Sequence, residues 1–218
     1  MFEVAGVYYE DQKDSLRICG LAENWDKDTL TLTDEVNGVP VTSISAYAFE
    51  GVVGLKKVYI PRNIEHIGLK AFHRCPDLET VVLFRDKDAP PVKIGYQAFQ
   101  NCRNLKTVRG SARIELIGDY VFFGCTSLEN MPTGLCGIIR LGTFMCCPNM
   151  KTMLAGYITE ILPDAFDKNH GLEVISILHD FKYDRSFIEL MRHVKIICGK
   201  ESDFTELSYD GYQVVIAH

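Results

Sequence analysis

The sequence predicts a solenoid of stacked coils, a β-rich fold within the α/β class. Three observations predict it. Phe49, Phe72, Phe99, Phe122, Phe144 and Phe166 are separated by 23, 27, 23, 22 and 22 residues, a period in the range of solenoid repeats. The same columns recur around each Phe. Five residues before it stands Ile44, Ile67, Ile94, Ile117, Ile139 or Ile161. Three after it is Val52, Cys75, Cys102, Cys125, Cys147 or Asn169. Six after it is Leu55, Leu78, Leu105, Leu128, Met150 or Leu172, and nine after it Val58, Val81, Val108, Met131, Met153 or Ile175. Third, the close of each unit, as in LKKVYI and LETVVL, alternates near the strand period and is rich in β-branched residues.

Each unit is one coil: a short strand, a turn, a second extended piece around the Ile, then a turn of helix or a 3₁₀ piece at Ala-Phe, too short for an ordinary α-helix. Gly68, Gly95 and Gly118 precede that piece and fit a tight bend. No coil buries its apolar side alone. Stacking at about 4.8 Å per rung buries a continuous column of Ile, Phe and Leu.

Solenoid ends expose apolar cross-section and unpaired strand, so they need caps. Residues 1–36 are expected to be an N-terminal β cap, with strands around Glu3–Tyr8, Leu16–Leu21 and Leu30–Thr33 and hairpin turns at EDQKD and ENWDKD. Residues 37–178 hold the six repeats. Residues 179–218 are expected to be a degenerate repeat and C-terminal cap. There Ser186–His193 reads as a short helix with Asp184 or Ser186 as N-cap, and Val194–Cys198 as a seventh rung, since Ile196 lies 21 residues after Ile175. FTELSYDGYQVVIAH reads as a hairpin with Asp210-Gly211 at its turn. The chain is thus expected to be a single domain over 1–218.

At these residues the chain resembles the BspA-type, or Treponema-type, leucine-rich repeats. Their motif is C-x-x-L-x-x-I-x-(L/I)-P followed by I-x-x-I-G-x-x-A-F-x-x-C. Cys75, Leu78, Val81 and Leu83 match its first half, and Ile64, Ile67, Gly68, Ala71, Phe72 and Cys75 its second. Val58-Tyr59-Ile60-Pro61 carries the proline after the strand, and NGVPVTSISAYAF matches the way such repeats often begin. The resemblance covers about residues 37 to 178. Val52 and Asn169 depart from it at the cysteine column, and Arg140 and Leu162 at the glycine column. It implies a right-handed leucine-rich-repeat superhelix with a parallel concave sheet and short helical or 3₁₀ turns on the convex side. It also implies a protein-binding role, often at a cell surface or on a host protein.

The 218 residues are enough for a sizeable core, and 47% apolar with 24% charged is globular composition. A net charge of −6 argues against nucleic acid or an anionic membrane as partner. No apolar run approaches a membrane span. MFEVAGVYYEDQKD lacks the basic and apolar regions of a secretory signal, so the expected location is cytoplasmic, or cell-surface or secreted if a leader has been removed.

The eight cysteines raise the question of chemistry. Four fill one column, one thiol per coil. Metal ligands must converge, and in-register side chains disfavour disulfide torsions. The column therefore reads as buried free thiols, suited to a reducing compartment. Cys147, not Cys146, belongs to it, and Cys136 replaces an Ile of the repeat. His66, His73 and His170 fall at variable positions and read as exposed. DKDTLTLTDE has the acidity of a calcium loop, but Thr31 stands where the sixth-position glycine is required. No nucleophile, phosphate-loop or metal motif is present, so no catalytic residue, metal or cofactor is expected. Seven residues after each Phe the column Lys56, Glu79, Lys106, Glu129, Lys151, Glu173 alternates in sign, which predicts a stabilising ladder across rungs.

Binding residues are sought among the outward positions of the concave strands: Tyr59, Thr80, Val82, Thr107, Arg109, Thr152, Leu154 and Ser176. Tyr59, Val82 and Leu154 are apolar where solvent is expected, with Phe84 beside them. A second candidate surface is FRDKDAPP, Phe84 to Pro91, at the insertion between the second and third coils. Two functions remain. One is a non-enzymatic module whose concave face binds a protein, or less favourably a glycan. The other is an intracellular structural protein that self-assembles through a weakly capped end. The expected state is a monomer or a weakly associating chain.

Overall fold

The six phenylalanines form one stack through the molecule. Successive ring centroids lie 4.9, 5.1, 5.3, 5.7 and 5.4 Å apart from Phe49 to Phe166, and every ring is buried. The computed structural model describes residues 1–86, 88–177, 182–183, 193–198 and 214–216.

The chain around this stack is a β-solenoid of about seven turns, with almost no helix among the described residues. Its largest sheet has eleven strands among the described residues. An antiparallel start of Phe2–Val4, Val7–Asp11 and Leu16–Leu21 leads into parallel strands Val39–Ile44, His66–Ile67, Val92–Ile94, Ile114–Leu116, Leu135–Ile139, Tyr157–Ile161 and Lys182–Tyr183, and Glu35–Val36 pairs with Val39–Ile44. The strands at the close of each repeat form two further parallel sheets. One contains Thr29–Thr31, Lys57–Ile60, Thr80–Leu83 and Thr107–Gly110. The other contains Thr152–Ala155, Val174–Ile177, Lys195–Cys198 and Val214–Ile216.

The Ala-Phe segments are not helical, apart from a 3₁₀ turn at Pro163–Phe166. Two residues after each Phe the backbone is left-handed, at Gly51, Arg74, Asn101, Gly124, Cys146 and Lys168. Two residues before it the same holds for Tyr47, Lys70, Gln97, Tyr120 and Gly142. This conformation is costly for a non-glycine residue, and bonding between coils offsets it. Arg74 N–H donates to Gln100 O (2.8 Å), Phe72 N–H to Ala98 O (2.8 Å) and Lys70 N–H to Tyr96 O (2.9 Å). The pattern repeats along the stack, making the turns a third ladder.

The cysteine column belongs to the same system. The thiols of Cys75, Cys102, Cys125 and Cys147 donate to the carbonyls of Phe49, Phe72, Phe99 and Phe122, at 3.0, 2.9, 3.1 and 3.1 Å. Asn169 continues the column with its amide toward Phe144 O at 3.5 Å. Val52 fills the position in the first coil, where no phenylalanine carbonyl precedes it.

Four expectations are corrected. Leu116, not Ile117, fills the fourth Ile position, pairing in register with Ile94. The fourth coil carries one extra residue, and the glycine column stays in step: a Cβ on Gly118 would lie 2.1 Å from Tyr96 N. Ile117 is therefore pushed out and 44% exposed. At the N-terminus Glu3–Tyr8 is two strands about an Ala5-Gly6 turn in which both residues have positive φ. The ENWDKD join is not a hairpin; it is a coil corner, carrying the chain from the large sheet to Thr29–Thr31, which pairs in parallel with Lys57–Ile60. His73 is buried, its Nδ1 2.7 Å from Glu50 Oε1. At the C-terminus Ile196 does pair with Ile175 as the seventh rung. Val214–Ile216 adds to it in parallel. The expected helix from Ser186, up to residue 192, and the Asp210-Gly211 turn lie outside the described residues.

Candidate binding surface

The eight outward positions do not form one strip. Asn130 makes a single bridge to Thr107, and the ladder stops there. In that register the next donor would be the N–H of residue 132 toward Val108 O, and Pro132 has none. Tyr59, Thr80, Val82, Thr107 and Arg109 thus share the first sheet. Thr152, Leu154 and Ser176 lie on the second.

Backbone bonding confirms the break. The carbonyls of Asp28, Lys56, Glu79, Lys106 and Lys151 each accept two consecutive N–H groups from the next coil. Neither Lys151 N–H nor Thr152 N–H reaches Glu129 O, and a recess of about 400 Å³ opens there, lined by Glu129, Asn130, Asn149, Lys151 and Thr152.

On the first sheet Tyr59, Val82 and Arg109 are direct cross-rung neighbours. Val82 was expected at the surface but is only 5% exposed. It forms a floor, not a contact residue. The aromatic surface above comes from Tyr59 and Phe84, whose rings stack 6.5 Å apart at 5°. Phe84 is 47% exposed. It begins the 84–91 insertion, so the two candidate surfaces are one.

Arg85 holds that insertion. Its side chain is buried, with Nη1 donating to Arg62 O (2.9 Å) and Ile64 O (2.8 Å), and Nε donating to Pro90 O. Ser111 Oγ donates to Arg85 O (2.9 Å), and Arg113 Nη2 to Ala89 O (2.9 Å). Sequence reasoning missed Arg85 because a charged residue inside RDKDAPP reads as solvated. On the second sheet Leu154 is exposed and Ser176, its cross-rung neighbour, half-buried.

The thiols of the repeat column are buried against backbone carbonyls. Burial raises the Cys102 and Cys125 thiols well above their ordinary range and pushes Cys147 up to about 12, so the nucleophilic thiolate is suppressed. Among the described residues no group of three or more His, Cys, Asp or Glu is placed to hold a metal ion, and no helix is long and apolar enough to cross a membrane.

The BspA-type leucine-rich repeat region model matches residues 35–133 and 89–189 in six copies. The chain belongs to the BspA-type leucine-rich repeat family. No curated protein matches it. Among solved structures, a leucine-rich repeat protein of T. pallidum superposes with TM-score 0.66 at 19% identity, over 99% of each chain, which shows the fold. A leucine-rich repeat protein from Bacteroides ovatus gives TM-score 0.49 at 19% identity, covering 99% of this chain and 76% of that one. A leucine-rich cell-surface protein from Faecalibacterium prausnitzii gives 0.44 at 17%, covering 91% and 72%.

Proposed function

We propose that this leucine-rich repeat protein is a non-enzymatic binding module that engages a protein partner through Tyr59, Phe84 and Arg109. The observation that carries this reading is the Tyr59–Phe84 stack. Two aromatic rings stand on a sheet face, one fixed by the ladder and one by the Arg85-pinned insertion, with Arg109 one rung beyond Val82. Aromatic and arginine side chains on a rigid support are the types that dominate protein interfaces. Thr80 and Thr107 flank them as adaptable hydrogen-bonding neighbours.

The test is a pull-down comparing wild type with Tyr59→Ala/Phe84→Ala/Arg109→Ala, after circular dichroism shows both folded. Loss of a band in the variant supports the face; an identical set of bands rejects it.

One observation favours a second reading, a self-assembling scaffold. Thr29–Thr31 pairs on one side only among the described residues, and a groove lined by Val4, Val7, Tyr9, Trp25 and Val36 runs beside it. A free strand edge is a template for pairing. Light scattering separates the readings: a monomer at high concentration counts against assembly. The free thiols support a reducing, cytoplasmic setting.

A further inference from the structure

The second and third coils carry a polar feature that the proposed partner face does not use. Arg74, Pro76, Asn101, Arg103 and Asn104 line an open pocket of about 550 Å³. Four of the five bring side chains able to donate hydrogen bonds, and none is a carboxylate. In a chain of net charge −6, this is a local reversal of sign.

The backbone there is fixed from both sides. Arg74 and Asn101 occupy the left-handed position after their phenylalanines, with φ of 55° and 60°. Their N–H groups donate to Gln100 O and Phe123 O, both at 2.8 Å. Arg103 O accepts from Ser127 N–H (3.1 Å) and Thr126 Oγ1 (3.2 Å). Asn104 Nδ2 donates to Pro76 O at 2.8 Å, tying the two walls together. The guanidinium groups, in contrast, are left over: among the described residues neither Arg74 nor Arg103 forms an ion pair. The carboxylate adjacent in sequence, Asp77, is committed to Gly54 N–H at 2.7 Å.

We propose that this pocket binds a doubly charged oxyanion, a phosphate or sulfate group, between Arg74 and Arg103. Guanidinium presents several N–H donors in one plane and matches tetrahedral oxyanions in charge and geometry. Two of them on a rigid backbone, with Asn101 and Asn104 in the same lining, suit a dianion better than a monovalent carboxylate.

The test is titration of the full chain with inorganic phosphate, sulfate, acetate and chloride at matched ionic strength, followed by amide chemical shifts. Wild type, Arg74→Gln/Arg103→Gln and Tyr59→Ala/Arg109→Ala are compared. Expected are saturable phosphate and sulfate shifts at residues 74, 101, 103 and 104, at least tenfold weaker with acetate and with the Arg74/Arg103 variant. The Tyr59/Arg109 variant should bind like wild type, which separates this site from the proposed partner face. Identical shifts with chloride, or phosphate binding retained in the Arg74/Arg103 variant, would overturn the proposal.

Discussion

The thiol of Cys125 donates a hydrogen bond to the carbonyl of Phe99 in the preceding coil, 3.1 Å away. Both residues are fully buried. The repeated Phe-x-x-Cys is therefore a bonding pair between neighbouring coils: one residue stacks its ring and offers its carbonyl, and the other caps the carbonyl before it. Replacing Cys125 by Ala removes the donor and leaves a small void. The expected cost is about 1–3 kcal/mol in urea unfolding. Cys125→Ser retains a donor and should lose less. If the serine variant is the weaker of the two, the thiol acts by apolar packing alone.

The same thiols set a pH dependence. Burial pushes Cys147 up to about 12 and raises Cys102 and Cys125 as well. In the unfolded chain a thiol ionises near 8.5. Between those values the folded state holds the proton that the unfolded state releases, so stability falls as pH rises. The stabilisation is fully present below about pH 8.5 and is lost toward pH 12, at up to about 1.4 kcal/mol per pH unit for one thiol. Urea midpoints at pH 7.5 and 10 should show this fall, and Cys147→Val should make it shallower. Parallel pH profiles for wild type and variant would contradict the assignment.

The alternating charge column contributes little. The column stacks in two runs, Lys56 to Glu129 and Lys151 to Glu173, on either side of the break at Pro132: Glu79 N–H donates to Lys56 O, Glu129 N–H to Lys106 O and Glu173 N–H to Lys151 O. Among the described residues only Lys151–Glu173 closes as an ion pair, at 3.0 Å, with both side chains about two-thirds exposed. Exposed pairs contribute about 0–1 kcal/mol. Glu79→Lys/Glu129→Lys should thus shift the melting temperature by only a degree or two. A fall of ten degrees would restore the ladder as a stabilising device.

What the sequence revealed and what it hid divide along one line. Columns of side chains that fill a core repeat with the coil, so the Phe, Leu, Val and Cys positions were legible. Features set by backbone bonding were not. Arg74 and Cys146 adopt a left-handed conformation because the next coil supplies the acceptor, and nothing in those residue types announces it. Thr29–Thr31 is a true rung without a Phe anchor, so periodicity could not find it. Ile117 matched its column by spacing, yet one extra residue moved Leu116 into the core. On the candidate face, Tyr59 and Arg109 were legible from strand alternation. The burial of Val82, set between Tyr59 and Arg109 on neighbouring rungs, and the clamp of Arg85 on the insertion are tertiary features.

The break at Pro132 predicts uneven backbone protection. Glu173 and Val174 N–H both reach Lys151 O, whereas Lys151 and Thr152 N–H have no such acceptor in the fourth coil. Hydrogen exchange should be fast at residues 151 and 152 and slow at 173 and 174, by a factor of ten or more, because unbonded amides exchange without local opening. Equal protection at the two pairs would mean that the two sheets are bonded across the fourth coil.

Arg85 links stability to the candidate face. Its guanidinium satisfies the carbonyls of Arg62, Ile64 and Pro90 from a buried position. Arg85→Ala would leave those acceptors to water and open a void beneath the insertion. Buried bonds to a charged donor contribute about 1.5–3 kcal/mol each, with strong non-additivity. The expected loss is about 2–4 kcal/mol, read from urea unfolding. Arg85→Met tests the packing part, since it fills the stem without donating. Released from its anchor, Phe84 should no longer hold its place over Tyr59, and the ring-current shift of the Tyr59 ring protons should shrink in both variants. An Arg85→Ala protein with wild-type stability and unchanged Tyr59 shifts would show that the insertion is held by Arg113, Ser111 and its prolines instead. The aromatic platform would then not depend on the clamp.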